Sequence, residues 1–136
     1  MGWKYTYHII FDGGSIGNPG KAYGSFRIQQ GRRKAAPAVR LDFGHGTNNE
    51  AEYKSLIAGV EHLHGILKKD RISPHDVLLH LRGDSQLVLN QVQGVWKVKN
   101  PRMRVLCEKA RALLLPFGEV KYHHHDRSVS VRMLGH

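Results

Sequence analysis

The chain has little cysteine, few acidic residues and no long hydrophobic run. Its single cysteine, Cys107, cannot form an internal disulfide, which excludes a disulfide-rich secreted fold and favours a reducing compartment. No window approaches the roughly 18 apolar residues that a membrane span needs, and residues 1–11 contain no continuous apolar targeting segment. We therefore expect a soluble, cytoplasmic protein with no membrane partner.

Acidic residues are outnumbered by basic ones. The 136 residues include 21 Lys and Arg against 11 Asp and Glu, which gives a formal net charge of +10. This excess favours a polyanionic partner, with nucleic acid ahead of an anionic membrane surface. The length suits one domain over residues 1–136, and no internal repeat divides it. A monomer is expected.

Three strands are predicted in the first third of the chain. Alternating apolar and polar residues predict a strand over residues 3–11, and residues 23–30 and 39–43 predict two more around the basic turn at 31–34. The glycines and the proline within residues 13–20 are expected to break regular structure. Three short strands in succession indicate an antiparallel meander.

Helices alternate with strands in the rest of the chain. The strongest helix follows the possible N-cap residues Thr47, Asn48 and Asn49, and its apolar residues recur at helical spacing as far as Leu67. The remaining predictions are a strand at 77–81 covered on both faces, helices at 85–92 and from Asn100-Pro101 to Leu114, a strand at 119–124, and a tail at 127–136 that fits either strand or helix. This order predicts an α/β fold with a mixed sheet.

Two acidic residues stand where predicted strands end, and a third stands on the strongest helix. Asp12 and Asp84 directly follow strands, where α/β sheets commonly bind ligands, and Glu52 lies in the first turns of the helix. Taken singly, the aspartates also fit turns, and Glu52 also fits a solvated helix face. If the three carboxylates meet, they indicate a site for Mg²⁺ or Mn²⁺, and two such ions would make this basic protein a nuclease.

Four segments carry a more specific pattern. They are residues 12–20 (DGGSIGNPG), 47–53 (TNNEAEY), 83–88 (GDSQLV) and 91–101 (QVQGVWKVKNP). In this order and spacing they resemble the type 1 ribonuclease H family, close to bacterial ribonuclease HI, over residues from about 7 to 115. The resemblance implies a ribonuclease H-like fold with a five-stranded mixed sheet flanked by helices. It also implies endonucleolytic hydrolysis of the RNA strand of RNA/DNA hybrids with two divalent ions, leaving 5′-phosphate and 3′-hydroxyl ends.

The resemblance also implies site residues. Asp12, Glu52 and Asp84 match the family's metal-binding, catalytic carboxylates, whereas Glu50 does not match. The residues that match its substrate contacts are Asn18, Asn48, Asn49 and Gln86 at the minor groove, Thr47 and Asn100 in a DNA-phosphate pocket, and Trp96 against the DNA backbone. Gly14 and Ser15 are further substrate-binding candidates. Asn48 and Asn49 also fit helix caps, and Trp96 also fits a core position. Lys97 and Lys99 add positive charge beside Trp96.

The C-terminal tail departs from the family pattern. The family tail runs Arg-Glu-x-Asn-x-x-Ala-Asp, and alignment of its Arg with Arg127 places Leu134 where the fourth acidic residue stands. Leucine cannot ligate a metal. His136 follows a flexible glycine, so its imidazole or the terminal carboxylate is a candidate substitute ligand and catalytic residue. Because imidazole suits transition metals better than Mg²⁺, this substitution predicts unusual benefit from Mn²⁺.

Several alternatives stay open at this point. A chain of this fold without its fourth carboxylate can be a hybrid-binding or double-stranded-RNA-binding module with little or no turnover. Junction resolvases and integrases share the fold, but residues 47–53 and 83–88 do not favour them. The histidines at 123–125 fit metal ligands, a proton shuttle or plain surface and core positions. Cys107 fits a buried small hydrophobe, and the basic residues at 32–34 fit a solvated turn or help for substrate binding.

Overall fold

The computed structural model describes residues 2–135, which form a five-stranded sheet with helices on both faces. In chain order the elements are β1 (Tyr5–Ile16), β2 (Gly20–Gln30), β3 (Val39–Gly46), α1 (Asn48–Lys69), β4 (Val77–Gly83), α2 (Gln86–Val92), α3 (Pro101–Leu114), β5 (Glu119–His124) and α4 (Arg127–Leu134). The strand order is β3-β2-β1-β4-β5. The first three strands pair antiparallel, whereas β4 is parallel to β1 and β5 is parallel to β4. The predicted meander, mixed sheet and α/β fold are confirmed.

The main hydrophobic core lies between the sheet and α1. Tyr7, Ile9 and Phe11 alternate along β1 and are almost fully buried, as are Leu56 and Leu63 on α1. Helices α2 and α3 extend this core through residues such as Val88, Met103 and Cys107. Each large apolar side chain buried in this way stabilises the fold by about 1.5–3 kcal/mol. The core therefore holds the ends of β1, β4 and α1 in fixed positions.

The opposite face of the sheet is covered only in part, by α4. Guanidinium groups from two strands hold the end of this helix: Arg27 Nη1 donates to the Met133 carbonyl oxygen, and Arg40 Nη2 donates to the Leu134 carbonyl oxygen, each at 3.0 Å. These bonds satisfy carbonyls that have no partner within the helix and place positive charge at the negative end of its dipole. Near its start, the Ser130 hydroxyl lies 2.8 Å from His125 Nε2.

Local signals located most element boundaries. Thr47 caps α1, Asn100 caps α3 with Pro101 in its first turn, and β5 has the predicted bounds.

Among the described residues, no helix combines the length and the apolar character that crossing a bilayer requires.

Two predictions about the sheet were wrong. The glycine-rich segment after Asp12 does not break regular structure, because β1 continues to Ile16 and pairs with β2 through Gly13↔Gly24 and Ser15↔Ala22. Strand β4 is not covered throughout, since His80 and Arg82 are half-buried on the face that α4 covers incompletely. The ambiguous tail forms a helix, α4, as far as Leu134.

Candidate active site

Three carboxylates meet at one end of the sheet. Asp12 lies within β1, Asp84 directly follows β4, and Glu52 comes from the second turn of α1. One oxygen atom from each lies within 4.8 Å of the others. Asp12 and Glu52 are buried, with 3% and 7% of their surface exposed, whereas Asp84 is half-buried. The structure thus brings together the three residues that the sequence pattern selects.

The chain brings these carboxylates together through strand pairing and a close approach of helix to strand. Strands β1 and β4 are parallel, and their last paired residues are Ile10 and Arg82. Asp12 and Asp84 each come two residues later, so they lie at the same end of the sheet. A Cβ atom on Gly13 would overlap the backbone of Ala51 and the amide of Glu52. The absence of a side chain at Gly13 therefore lets α1 come close enough to place Glu52 beside Asp12.

The electrostatics of the cluster favour a bound cation. Burial, and after it the charges of Asp12 and Asp84, together raise the pKa of Glu52 to about 10. Burial and then the charge of Asp84 raise the pKa of Asp12 to about 6, against a smaller opposing effect of the Gly13 N–H and Arg127. A divalent ion would relieve this repulsion, because hard cations bind carboxylate oxygens.

The hydrogen bonding of the carboxylate oxygens gives an independent test of whether the cluster suits a divalent cation. Glu52 Oε2 and Asp84 Oδ2 are buried, and neither makes a hydrogen bond within the part of the chain that the structure describes. Buried carboxylate oxygens without donors are costly, and coordination to a metal is one way to satisfy them. The donor set of three carboxylates matches the all-oxygen ligands that Mg²⁺ and Mn²⁺ accept. The cluster therefore fits divalent cations.

The turn between β1 and β2 is bound to the start of α1 beside the cluster. Asn48 Oδ1 accepts hydrogen bonds from the Ser15 amide at 2.8 Å and the Ser15 hydroxyl at 3.0 Å. The Asn48 amide donates to Asn18 Oδ1 at 3.1 Å. Asn49, next along the helix, is exposed. The structure thus brings together four substrate-binding candidates, three of which the resemblance assigns to the minor groove.

A polar groove lies beside this turn, between the start of α1 and the start of α3. It has a volume of 470 Å³, and its lining includes Thr47, Lys97, Lys99, Asn100 and Arg102. The two residues assigned to a phosphate pocket, Thr47 and Asn100, therefore line one groove with three basic side chains. Thr47 and Asn100 are also helix caps, because their side-chain oxygens accept hydrogen bonds from backbone amides of α1 and α3.

Three residues of this region were missed by sequence reasoning. Arg102 lines the groove, and its positive charge directly after Pro101 was the only sequence feature that could have indicated this. Glu50 accepts hydrogen bonds from the amide and the hydroxyl of Thr47, a capping box that the Thr-x-x-Glu spacing of residues 47–50 signals. Gln91 accepts a 2.6 Å hydrogen bond from the buried Tyr53 hydroxyl and donates to the Lys97 carbonyl at 3.2 Å. It thereby fixes the loop that carries Lys97 to the core.

The other substrate-contact candidates lie at separate positions. Trp96 is 43% exposed, so a core position for this residue is wrong. Gln86 is the exposed first residue of α2. Gly14 is buried next to Tyr23, and a Cβ atom at position 14 would lie 2.8 Å from the Tyr23 hydroxyl. Cys107 is buried, as expected, and its thiol lies 3.5 Å from the Gln91 carbonyl oxygen.

Within the described residues, the end of β5 brings one histidine close to Asp84, and no fourth carboxylate joins the cluster. Within residues 2–135 only Asp12, Glu52 and Asp84 form an acidic group of metal-binding geometry. Leu134, which aligns with the family's fourth acid, is 2% exposed at the end of α4. His124 Nε2 lies 3.2 Å from the Asp84 carbonyl oxygen. The predicted ligand His136 lies outside the described residues.

Comparison with known proteins identifies the family. The sequence profile of a family described as reverse transcriptase-like matches residues 11–132. The chain is 35% identical over 125 residues to ribonuclease HI of Halobacterium salinarum, an alignment that spans 92% of this chain and 59% of that protein. With its sheet order and carboxylate cluster, the chain belongs to the ribonuclease H family.

Solved structures show the same relationship. The N-terminal ribonuclease H domain of Rv2228c from Mycobacterium tuberculosis superposes with a TM-score of 0.80 at 31% identity, covering 95% of each chain. LC11-RNase H1 in complex with an RNA/DNA hybrid superposes with a TM-score of 0.82 at 30% identity, covering 93% of this chain and 89% of that one. The fold expected from the resemblance is confirmed. The chain spans little more than half the length of the Halobacterium relative, at 59%.

Proposed function

We propose that this protein is a metal-dependent endonuclease that hydrolyses the RNA strand of RNA/DNA hybrids. The observation that carries the proposal is the group of three buried or half-buried carboxylates within 4.8 Å, in a chain of the ribonuclease H family. The hybrid as substrate is supported by the complex of LC11-RNase H1, which binds one. The net charge of +10 suits a polyanionic duplex.

Asp12, Glu52 and Asp84 would hold the divalent ions, with Mg²⁺ or Mn²⁺ as the expected metal. Two bound ions would supply an activated water and stabilise the departing 3′ oxygen, which leaves 5′-phosphate and 3′-hydroxyl ends. The protein's part is to fix the three carboxylates on β1, β4 and α1, whose positions the core determines. It also limits the access of water to Asp12 and Glu52, both of which are buried.

The neighbouring polar residues would position the hybrid. Ser15, Asn18, Asn48 and Asn49 lie together beside the cluster, where amide and hydroxyl groups can bind the ribose 2′-hydroxyl that distinguishes RNA from DNA. Gln86 is assigned to the same minor-groove surface, and Gly14 is assigned to substrate binding. The groove with Thr47, Asn100 and the basic side chains suits a phosphate of the DNA strand, and exposed Trp96 suits contact with the DNA backbone.

The fourth metal ligand is proposed to be His136. The support is chemical: the described residues supply three carboxylates, and Leu134 cannot ligate. An imidazole ligand predicts that His136→Ala removes a larger part of the Mn²⁺-supported rate than of the Mg²⁺-supported rate. Equal losses with the two metals, or no loss, would contradict this assignment.

A binding module without turnover is the second candidate, and the missing fourth carboxylate favours it. Retention of Asp12, Glu52 and Asp84 argues against it, because a surface that only binds phosphates is weakened by three acidic groups. The two candidates differ in whether cleavage occurs, so one experiment separates them.

The deciding experiment is cleavage of an end-labelled RNA/DNA hybrid in Mg²⁺, Mn²⁺ or chelator. We expect metal-dependent cutting of the RNA strand only, and a rate at least about 100-fold lower for Asp84→Asn. Asp70→Asn, which makes the same change at an exposed site after α1, serves as the matched control and should keep the wild-type rate. Tight binding without cutting in either metal would instead establish the binding module.

A further inference from the structure

A second cavity lies on the side of the sheet that faces α4. It has a volume of 550 Å³ and lies between the sheet, α4 and the turn that joins β2 to β3. Its polar lining includes His8, Arg27, Arg32, Arg82 and His125. None of these residues belongs to the carboxylate cluster or to the groove beside α3. The cavity is therefore separate from the carboxylate cluster and from that groove.

The charge of this cavity is positive and largely uncompensated. Among the described residues, no Asp or Glu lines it. Arg27 binds the walls together, because its Nε donates to the Ala36 carbonyl at 2.8 Å and its Nη1 to the Met133 carbonyl at 3.0 Å. Arg32 and Arg82, in contrast, make no ion pair or side-chain hydrogen bond within residues 2–135. Two guanidinium groups are thus available to a ligand.

Two carboxylates outside the lining act on one wall of the cavity. Asp84 and Asp126 act on His125, where their charges oppose the lowering of its pKa by burial. On His8, the effect of Arg82 adds to that of burial, and the pKa of His8 is lowered. An anion near His8 would therefore meet the positive charge of Arg82, whereas the two carboxylates act at the His125 side of the cavity.

The volume of the cavity and the apolar residues in its lining indicate which class of ligand it suits. A single phosphate ion would occupy only a small part of 550 Å³. The lining also includes Ile10 on β1 and Val129 and Met133 on α4, which offer an apolar surface suited to a base or a sugar. Guanidinium groups bind phosphate through paired hydrogen bonds. These features together match a nucleotide, with its phosphate on the arginines and its base against α4.

We propose that this cavity binds a nucleotide through its phosphate, with Arg82 and Arg32 as the anion-binding residues. The nucleotide is either free or the 5′-phosphorylated end of a nucleic-acid strand, since both present the same group. This inference does not rest on the proposed nuclease activity, because binding here requires no metal and no cleavage.

The test measures binding by isothermal titration calorimetry in EDTA, which removes metal-mediated binding at the carboxylate cluster. The probes are adenosine, adenosine 5′-monophosphate, and a DNA tetranucleotide with or without its 5′-phosphate. The variants are Arg82→Gln, Arg32→Gln and, as a charge-matched control on the exposed last turn of α1, Lys68→Gln. We expect a 5′-phosphate to tighten binding about tenfold, and both arginine variants to remove that advantage while Lys68→Gln keeps it.

Each outcome decides the proposal. Tight binding of adenosine 5′-monophosphate identifies a free nucleotide as the ligand, and a preference seen only with the tetranucleotide identifies a strand end. Equal binding of phosphorylated and unphosphorylated probes overturns the proposal, as does an equal loss in Lys68→Gln and Arg32→Gln. If Arg82→Gln does not fold, Arg32→Gln decides alone, because Arg32 is exposed on a turn and makes no ion pair or side-chain hydrogen bond within residues 2–135.

Discussion

The two faces of the sheet are built on different principles. The face toward α1 carries Tyr7, Ile9 and Phe11, which are buried in a continuous hydrophobic core. The other face carries His8 on β1 and Arg27 on β2, and α4 covers only part of it. Three imidazoles lie across neighbouring strands there, with His80 stacked between His8 and His123 at centroid distances of 4.7 and 5.0 Å.

The two faces therefore have different roles. The α1 face stabilises the fold, and the α4 face carries the positive charge that we propose binds an anion. The α1 face supplies most of the buried apolar surface, and through it the fixed positions of Asp12, Glu52 and Asp84. The α4 face supplies positive charge and histidines that are only partly withdrawn from water, so it contributes less to folding. The comparison predicts large stability losses from substitutions on the α1 face and smaller, more local losses on the α4 face.

The largest effect is expected from Leu63→Ala on the α1 face. Leu63 is fully buried in the centre of α1, so the substitution removes apolar contacts and leaves a cavity that a packed core closes poorly. We expect the free energy of unfolding to fall by about 3–5 kcal/mol, measured by urea denaturation. A loss below 1 kcal/mol would show that this face is not the dense core described.

Leu134→Ala makes the matched change on the α4 face. Leu134 is 2% exposed, but it belongs to a short helix outside the main core. We expect a smaller loss, about 2–3 kcal/mol, because α4 can move and partly close the space. Hydrogen exchange should show faster opening of α4 and unchanged protection of α1. Equal acceleration in both helices would mean that the two faces form one cooperative unit.

Local sequence signals predicted the α1 face and the carboxylates better than the α4 face. The cap at Thr47, the Asn100-Pro101 start of α3 and the apolar residues before Asp84 act over a few residues, so they are readable from the sequence. The continuation of β1 through Gly13 was missed, because it depends on pairing with β2 and overrides the local preference of glycine for turns.

The binding of α4 to the sheet was not predictable for the same reason. Arg27 and Arg40 contact the carbonyls of Met133 and Leu134 from positions about 100 residues earlier in the chain, at separations of 106 and 94 residues. No periodic pattern marks such contacts. The motifs selected Asp12, Glu52 and Asp84, whereas the assignments of domain extent, monomeric state and His136 remain predictions.

The next smaller effect tests one of these long-range contacts. Arg40→Gln removes the guanidinium that binds the Leu134 carbonyl and complements the dipole of α4. We expect a loss of about 0.5–1 kcal/mol in the free energy of unfolding, with faster hydrogen exchange confined to α4. Lys21→Gln, an equal charge change at an exposed position of β2, is the control. The same loss in both variants would assign the effect to net charge.

The smallest effect concerns pH and the three stacked histidines. Burial lowers the pKa values of His8, His80 and His123, and the positive charge of Arg82 lowers each of them further. His80 Nδ1 and His123 Nε2 also share a 2.8 Å hydrogen bond that two protonated rings cannot make. Because the folded protein holds these protons less tightly than the unfolded chain, their contribution to stability is complete above pH about 6.5 and is lost as the pH falls below it.

Replacement of the three histidines by glutamine should flatten this dependence. Urea denaturation from pH 8 to pH 5 is expected to show that the wild type loses stability below pH about 6.5 faster than the triple variant. Asp12 and Glu52 have raised pKa values and contribute with the opposite sign, but both proteins retain them, so their contribution cancels in the difference. The charge of Lys121 lowers the pKa values of His80 and His123 further, whereas Glu119 opposes this lowering at His80 and limits the effect there. The control is His45→Gln, which replaces an exposed histidine on β3 and should leave the pH profile of stability unchanged. A triple variant with the wild-type profile would show that the three imidazoles are as well solvated in the folded protein as in the unfolded chain.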